Sequence, residues 1–357
     1  MPLSLIALPI IFAVLKVAAV AAIGYLLAKR AVLTDSATSA VSDLVIKLAV
    51  PCLVFSNAAG GFAGISTVGA VSLILAGPGV IGAGYLCAVA LSKVCQVETA
   101  YRKAVVAASA FQNSAYLPIA VSTAVAPLVV QVAGHPGSPP NSAMSGAAVI
   151  CISLFGVLYS PIFWGIGLGW ITDDHEGRRP WRELVPRLFP PPVLGLIAGY
   201  TVAFTPLKGL IVPHGSPGHF LFDAVGDIGG MTVPLANLVL GAMLARVGSG
   251  VKEPVKNYLI VVGTRFLLVP SLFLAITLLT RSYWISSPIA VVAAFVIFLQ
   301  SITPPATNLA VMSKGVSADS PYHTAEAIPR ILLVAYLLCM VTMPAWLLIY
   351  LRLIQPR

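Results

Sequence analysis

The chain has 357 residues, of which 58% are hydrophobic and only 9% charged, with a mean hydropathy of +0.95 and a formal net charge of +9. A soluble domain carries about 25% charge, so this composition excludes one. The Lys and Arg stand in short loops with no basic stripe among aromatics, which excludes a nucleic-acid partner and reads as a topology signal.

The apolar runs are each about 20 residues long, enough to cross a hydrocarbon core of ~30 Å, and ten spans are predicted. The first, 5–28, carries Lys16 half-way along and reads as a retained helix, not a cleaved leader. The second, 39–59, holds Asp43 and Lys47 one turn apart, where they can pair, then Pro51, Ser56 and Asn57. The third, 68–92, has no charge. The fourth, 101–123, carries Gln112, Asn113, Ser114 and Tyr116 ahead of Pro118, and the fifth covers 143–171. A polar cytoplasmic loop, 172–189, follows. The sixth span, 190–207, is the shortest. The seventh, 220–245, contains Pro234, Asn237 and Gly241, and the eighth, 256–280, holds Arg265. The ninth, 287–313, carries Ser301, Thr303, Pro304, Pro305, Thr307 and Asn308, and the tenth covers 327–351.

Charge within an apolar run is expensive and marks either function or a structural pair. Lys47 and Arg265 read as snorkelling side chains, and Lys16 as a functional charge or a member of a buried pair. Loops after odd-numbered spans hold fourteen Lys and Arg, those on the other side four, which places the odd loops in the cytoplasm and both termini in the lumen or outside. Four of the five cysteines lie in apolar runs without a C-x-x-C, so they read as small packing residues. No enzyme motif and no metal-ligand spacing is present, so no catalytic residue, metal or cofactor is expected.

The halves correspond. Pro51 and Pro118 stand 67 positions apart, Pro234 and Pro305 71 apart, in matching spans. Five spans per half is an odd number, so equivalent spans cross in opposite directions. That is an inverted repeat: 1–171 the first five-helix unit, 190–357 the second. Proline inside a span removes a donor and frees a carbonyl, and broken helices at matching positions in the two halves point to a solute site. Asn113, Ser114, Tyr116, Thr303 and Asn308 are the candidate substrate contacts, with Asn57 facing the same space, and Pro118, Pro304 and Pro305 hold the breaks. Helix N-termini there suit an anion.

Four stretches resemble the auxin efflux carrier superfamily, most closely its PIN-LIKES branch: Val14-Leu15-Lys16-Val17; Ala49-Val50-Pro51 with Leu53-Val54; Val225-Gly226-Asp227 with Val233-Pro234 and Leu240 to Leu244; and Thr303-Pro304-Pro305-Ala306-Thr307-Asn308. The fourth span departs from that family's pattern, with Ala115 and Tyr116 where Gly and Asn are usual. The resemblance implies an all-α polytopic carrier with scaffold helices 1, 2, 6 and 7 and transport helices 3–5 and 8–10. It implies elevator-type alternating access, a small organic anion such as indole-3-acetate as substrate, and the endoplasmic reticulum membrane, with the plasma membrane as the alternative. An ion-coupled carrier of small carboxylates such as malate is the second reading. The expected partners are the solute and the lipid bilayer, and small residues on the scaffold spans permit a homodimer.

Overall fold

The computed structural model describes residues 3–60, 64–135, 141–167, 170–171, 191–246, 253–313 and 322–356. The predicted loop 172–189 lies outside the described residues. The architecture is all-helical: α1 Leu3–Lys29, α2 Asp35–Ala59, α3 Thr67–Val94, α4 Thr99–Ala110, α5 Tyr116–Val132, α6 Asn141–Pro161, α7 Pro191–Ala203, α8 His219–Leu244, α9 Val255–Leu279, α10 Pro288–Ser301, α11 Asn308–Ser313 and α12 Thr324–Ile354. Six of these, α2, α3, α6, α8, α9 and α12, are long and apolar enough to cross a membrane, and Leu117–Val132, α7 and α10 are shorter apolar helices. The chain is a polytopic membrane protein.

Local chemistry sets the ends. The Thr34 side chain accepts from the Ala37 amide and starts α2, and the Ser66 side chain accepts from the Gly69 amide and starts α3. Arg246, just past α8, pairs with Asp35 at 2.7 Å and donates to the Thr38 hydroxyl at 2.8 Å and the Leu33 carbonyl, tying α8 to the start of α2.

Prolines dictate the irregularities. A π-helical turn, Val45–Ala49, precedes Pro51, and another, Thr264–Leu268, precedes Pro270. Pro270 cannot donate to the Phe266 carbonyl four residues back; the Trp346 indole of α12 does so at 2.8 Å. Pro127 likewise leaves the Thr123 carbonyl to the Ser145 hydroxyl of α6, at 2.6 Å. Such bonds answer the requirement that every backbone group in lipid find a partner.

The two most extensive helix contacts are α1 on the second part of α8 and α7 on α2. Both rest on glycine. A Cβ on Gly241 would come within 1.7 Å of the Ala21 carbonyl oxygen, and one on Gly195 within 2.4 Å of that of Pro51. Neither obstacle is a movable side chain. Gly241→Leu is therefore expected to separate α1 from α8 and cost about 1–3 kcal/mol, read as a fall in unfolding temperature in detergent micelles. Around these lie the remaining helices: α3 packs on α4 and α6, α10 on α5 and α6, α4 on α12, and α9 on α10 and α12.

The fourth and ninth spans are broken, as the sequence expects, at residues 111–115 and 302–307. One boundary changes: the second helix of the fourth span runs to Val132 and does not end near 123.

Candidate functional site

The two gaps meet. The Asn113 amide donates to the Pro304 carbonyl at 2.8 Å, and the Ala306 amide to the Phe111 carbonyl at 2.9 Å. Gln112 and Pro305 thereby form an antiparallel bridge, the only β pairing among the described residues. Extended backbone inside a membrane protein must spend its polar groups within the protein, and here each gap supplies the other's partners.

Side chains from neighbouring helices finish the pairing. Pro118 cannot serve the Ser114 carbonyl; the Gln300 amide does, at 3.0 Å. Pro304 and Pro305 cannot serve the Gln300 and Ser301 carbonyls. Arg265 reaches both with Nη2 at 3.4 Å and also donates to the Thr303 carbonyl at 2.8 Å. Tyr159 of α6 donates to the Gln112 carbonyl at 2.5 Å, and the Asn113 side-chain amide donates to the Tyr336 hydroxyl of α12 at 2.7 Å.

A cavity of about 100 Å³ opens beside this crossing. One wall is the crossing itself: Gln112, Asn113, Ser114 and Ala115 from the first gap, Ala306, Thr307 and Asn308 from the second. Tyr159, Ser160 and Phe163 also line it, and the rest of the lining comes from Ile46 and Val50 of α2 and Pro192 of α7. Among the described residues no charged side chain lines it. Helices α5 and α11 both begin at this wall, so the positive ends of their dipoles face the cavity. An apolar wall opposite amide and hydroxyl groups accommodates a small solute with one polar end.

The model of the membrane transport protein family matches residues 9–183. This part of the chain belongs to that family. It spans α1 to α6 and includes the first gap, and the family is one of transporters, not of enzymes. No curated protein matches the chain.

The structure brings Asn113, Ser114 and Asn308 to one cavity. Pro118 follows the first gap, and Pro304 and Pro305 lie in the second. Thr303 is fully buried with its hydroxyl on the Gln300 carbonyl at 2.9 Å, away from the cavity lining. Asn57 donates to the Leu53 carbonyl at 2.7 Å in its own helix, stands against Gly146 of α6, and does not reach the lining. Tyr116 opens α5, and its side chain lies outside the described residues.

Arg265 does not snorkel: its exposure is 0%, because three carbonyls orphaned at the end of α10 hold it inward. Lys16 is exposed and makes no ion pair among the described residues, which removes the buried-pair reading. Lys47 meets Asp43 at 2.8 Å with both side chains exposed, as its spacing predicts. Tyr159, Tyr336 and Gln300 escape sequence reasoning as site residues. A lone tyrosine in an apolar run carries no spacing signal, whereas Gln300, five positions before Pro305 as Asn113 is before Pro118, was the one with a signal to find.

Outside the membrane-spanning segments, Glu253 is 7% exposed just ahead of α9, and among the described residues neither carboxylate oxygen accepts a hydrogen bond. Burial pushes its carboxyl up to about 7; Arg330 and Asn257 pull against that rise, and Glu326 adds to it. A carboxyl raised from 4.5 in this way binds more protons folded than unfolded between those values, so stability falls as pH rises through that window. The unfolding temperature is expected to drop from pH 5 to pH 8, and Glu253→Gln to flatten that slope.

Proposed function

We propose that the protein carries a small organic anion across a membrane by elevator-type alternating access, with indole-3-acetate as the favoured class of substrate. The single observation that carries this reading is the cavity whose two walls come from different sets of helices: the crossing of α4–α5 with α10–α11 on one side, α2 and α7 on the other. A crossing that moves as one body against a fixed wall would take the solute with it. Asn113, Ser114 and Asn308 would hold the carboxylate, aided by the positive ends of α5 and α11, and the apolar wall would meet the ring.

The arrangement of contacts supports ten spans in two inverted five-helix repeats, 1–171 and 190–357. Spans 1 and 6 would be equivalent, as would 2 and 7, and the two largest contacts are indeed 1 with 7 and 6 with 2. The packing of α4 on α12 is matched by that of α10 on α6. Scaffold helices would be 1, 2, 6 and 7, with 3–5 and 8–10 as the transport part. The excess of Lys and Arg after odd spans supports cytoplasmic odd loops and lumenal or extracellular termini. The family resemblance favours the endoplasmic reticulum membrane over the plasma membrane. Small residues on the scaffold spans would permit a homodimer.

Uptake by proteoliposomes of radiolabelled indole-3-acetate and of malate, each with and without an imposed proton or sodium gradient, tests this reading. Saturable uptake of indole-3-acetate is the expected result. Uptake of malate alone, and only down an ion gradient, would replace it with the ion-coupled dicarboxylate reading. No uptake of any acid by folded protein would remove the carrier reading altogether.

A further inference from the structure

Arg265 is the only charged residue buried completely within the described residues. A guanidinium in a membrane interior carries a heavy desolvation cost, and such residues persist where they are used. Its first use is structural. The last carbonyls of a helix have no intrahelical donors, and after Ser301 two consecutive prolines remove the amides that a continued helix would have offered. Arg265 supplies the missing donors to Gln300, Ser301 and Thr303. Hydrogen bonding alone does not require a full charge there, however. On the first gap the comparable service, at the Gln112 carbonyl, is done by the neutral hydroxyl of Tyr159.

The second use follows from what is missing around it. No Asp or Glu forms an ion pair with Arg265 among the described residues, and Nη1 has no partner. The end of a helix offers roughly half a negative charge, so the guanidinium leaves a net positive charge buried behind the crossing. Its path to the cavity is short: Arg265 holds Thr303, the next residue's carbonyl takes the Asn113 amide, and Asn113 lines the cavity. Tyr159, another lining residue, donates to the Gln112 carbonyl of the same crossing. Low-dielectric surroundings and the exclusion of salt keep such a field from being screened.

We propose that Arg265 is the charge-selecting residue of the crossing, a positioning residue that never touches the solute but gives the cavity a positive potential favouring carboxylates over neutral molecules of the same shape. This rests on the carrier reading and adds to it which residue sets the preference for an anion.

The test compares indole-3-acetate with its neutral isostere indole-3-acetamide, as competitors and as substrates, in proteoliposomes of wild type, Arg265→Lys, Arg265→Gln and Cys339→Asp. Cys339 is buried in α12, three residues from the Tyr336 that takes the Asn113 amide, and an aspartate there is intended to add a neutralising charge beside the crossing without removing any donor of Arg265. Wild type should prefer the acid. Arg265→Lys should keep the preference, with slower transport because a point charge replaces the fork. Arg265→Gln and Cys339→Asp should each raise the acid-to-amide ratio of KM values about tenfold, chiefly by weakening the acid. A merely structural role would slow both solutes equally and leave the ratio alone. If either charge-removing variant is recovered folded and retains the wild-type ratio, the inference is overturned while the carrier reading stands. If Arg265→Gln does not fold, Cys339→Asp decides. If wild type moves neither solute, the carrier reading itself has failed.

Discussion

Replacing Asn113 and Asn308 together with alanine is expected to abolish saturable organic-acid uptake, and the two single variants should differ from each other in an informative way. Asn308 lines the cavity, so Asn308→Ala should raise KM and leave stability nearly unchanged. Asn113 has a second duty: its side-chain amide donates to the Tyr336 hydroxyl at 2.7 Å, and its side-chain oxygen lies 3.5 Å from the Leu117 amide at the start of α5. Asn113→Ala should therefore both raise KM and lower the unfolding temperature, since an orphaned buried group costs about 1–3 kcal/mol. Losing one hydrogen bond to a charged carboxylate costs about 1.5–3 kcal/mol, so the pair should lose more than a hundredfold in uptake efficiency at limiting solute. Initial rates over a range of concentrations, set against melting curves of the same preparations, check both parts.

Gln300→Met carries the second large effect. Methionine fills nearly the same space and cannot donate, so the Ser114 carbonyl, already deprived of a partner by Pro118, is left unpaired in the protein interior. Gln300 also belongs to the end of α10 that Arg265 holds, so one side chain links the two gaps. The expected outcome is a loss of about 1–3 kcal/mol in stability and a fall of at least tenfold in maximal uptake. KM should change little, because Gln300 does not line the cavity. A change confined to KM would mean that Gln300 contacts the solute after all.

Much of the fold was legible because a bilayer restricts the options. Spans follow from apolar length, and the prolines at 118, 304 and 305 mark the two breaks because proline leaves a missing donor whatever surrounds it. The sequence also placed Asn113, Ser114 and Asn308 near those breaks, where the cavity lies. What sequence could not give was the other end of each hydrogen bond. Whether Thr303 faces solute or its own helix end depends on a rotation of a few residues about an extended segment, which no periodicity fixes. Asn57 has the polarity of a site residue but satisfies its own helix. Arg265 reads as a snorkelling side chain because nothing local shows that three carbonyls 35 to 38 positions away need a donor. Tyr159, Trp346 and Ser145 act in the same way, each serving a carbonyl that a proline or a break on another helix has freed. The prolines announce the need, and only the packing names the residue that meets it.

The most direct test of the central claim is counterflow. Proteoliposomes loaded with unlabelled indole-3-acetate are diluted into a trace of labelled solute, and internal label is followed with time. A carrier working through the crossing predicts a transient accumulation of label above equilibrium with wild type, and none with the Asn113→Ala/Asn308→Ala double variant. Saturable binding by wild type without that overshoot, or an overshoot that survives in the double variant, would contradict the account.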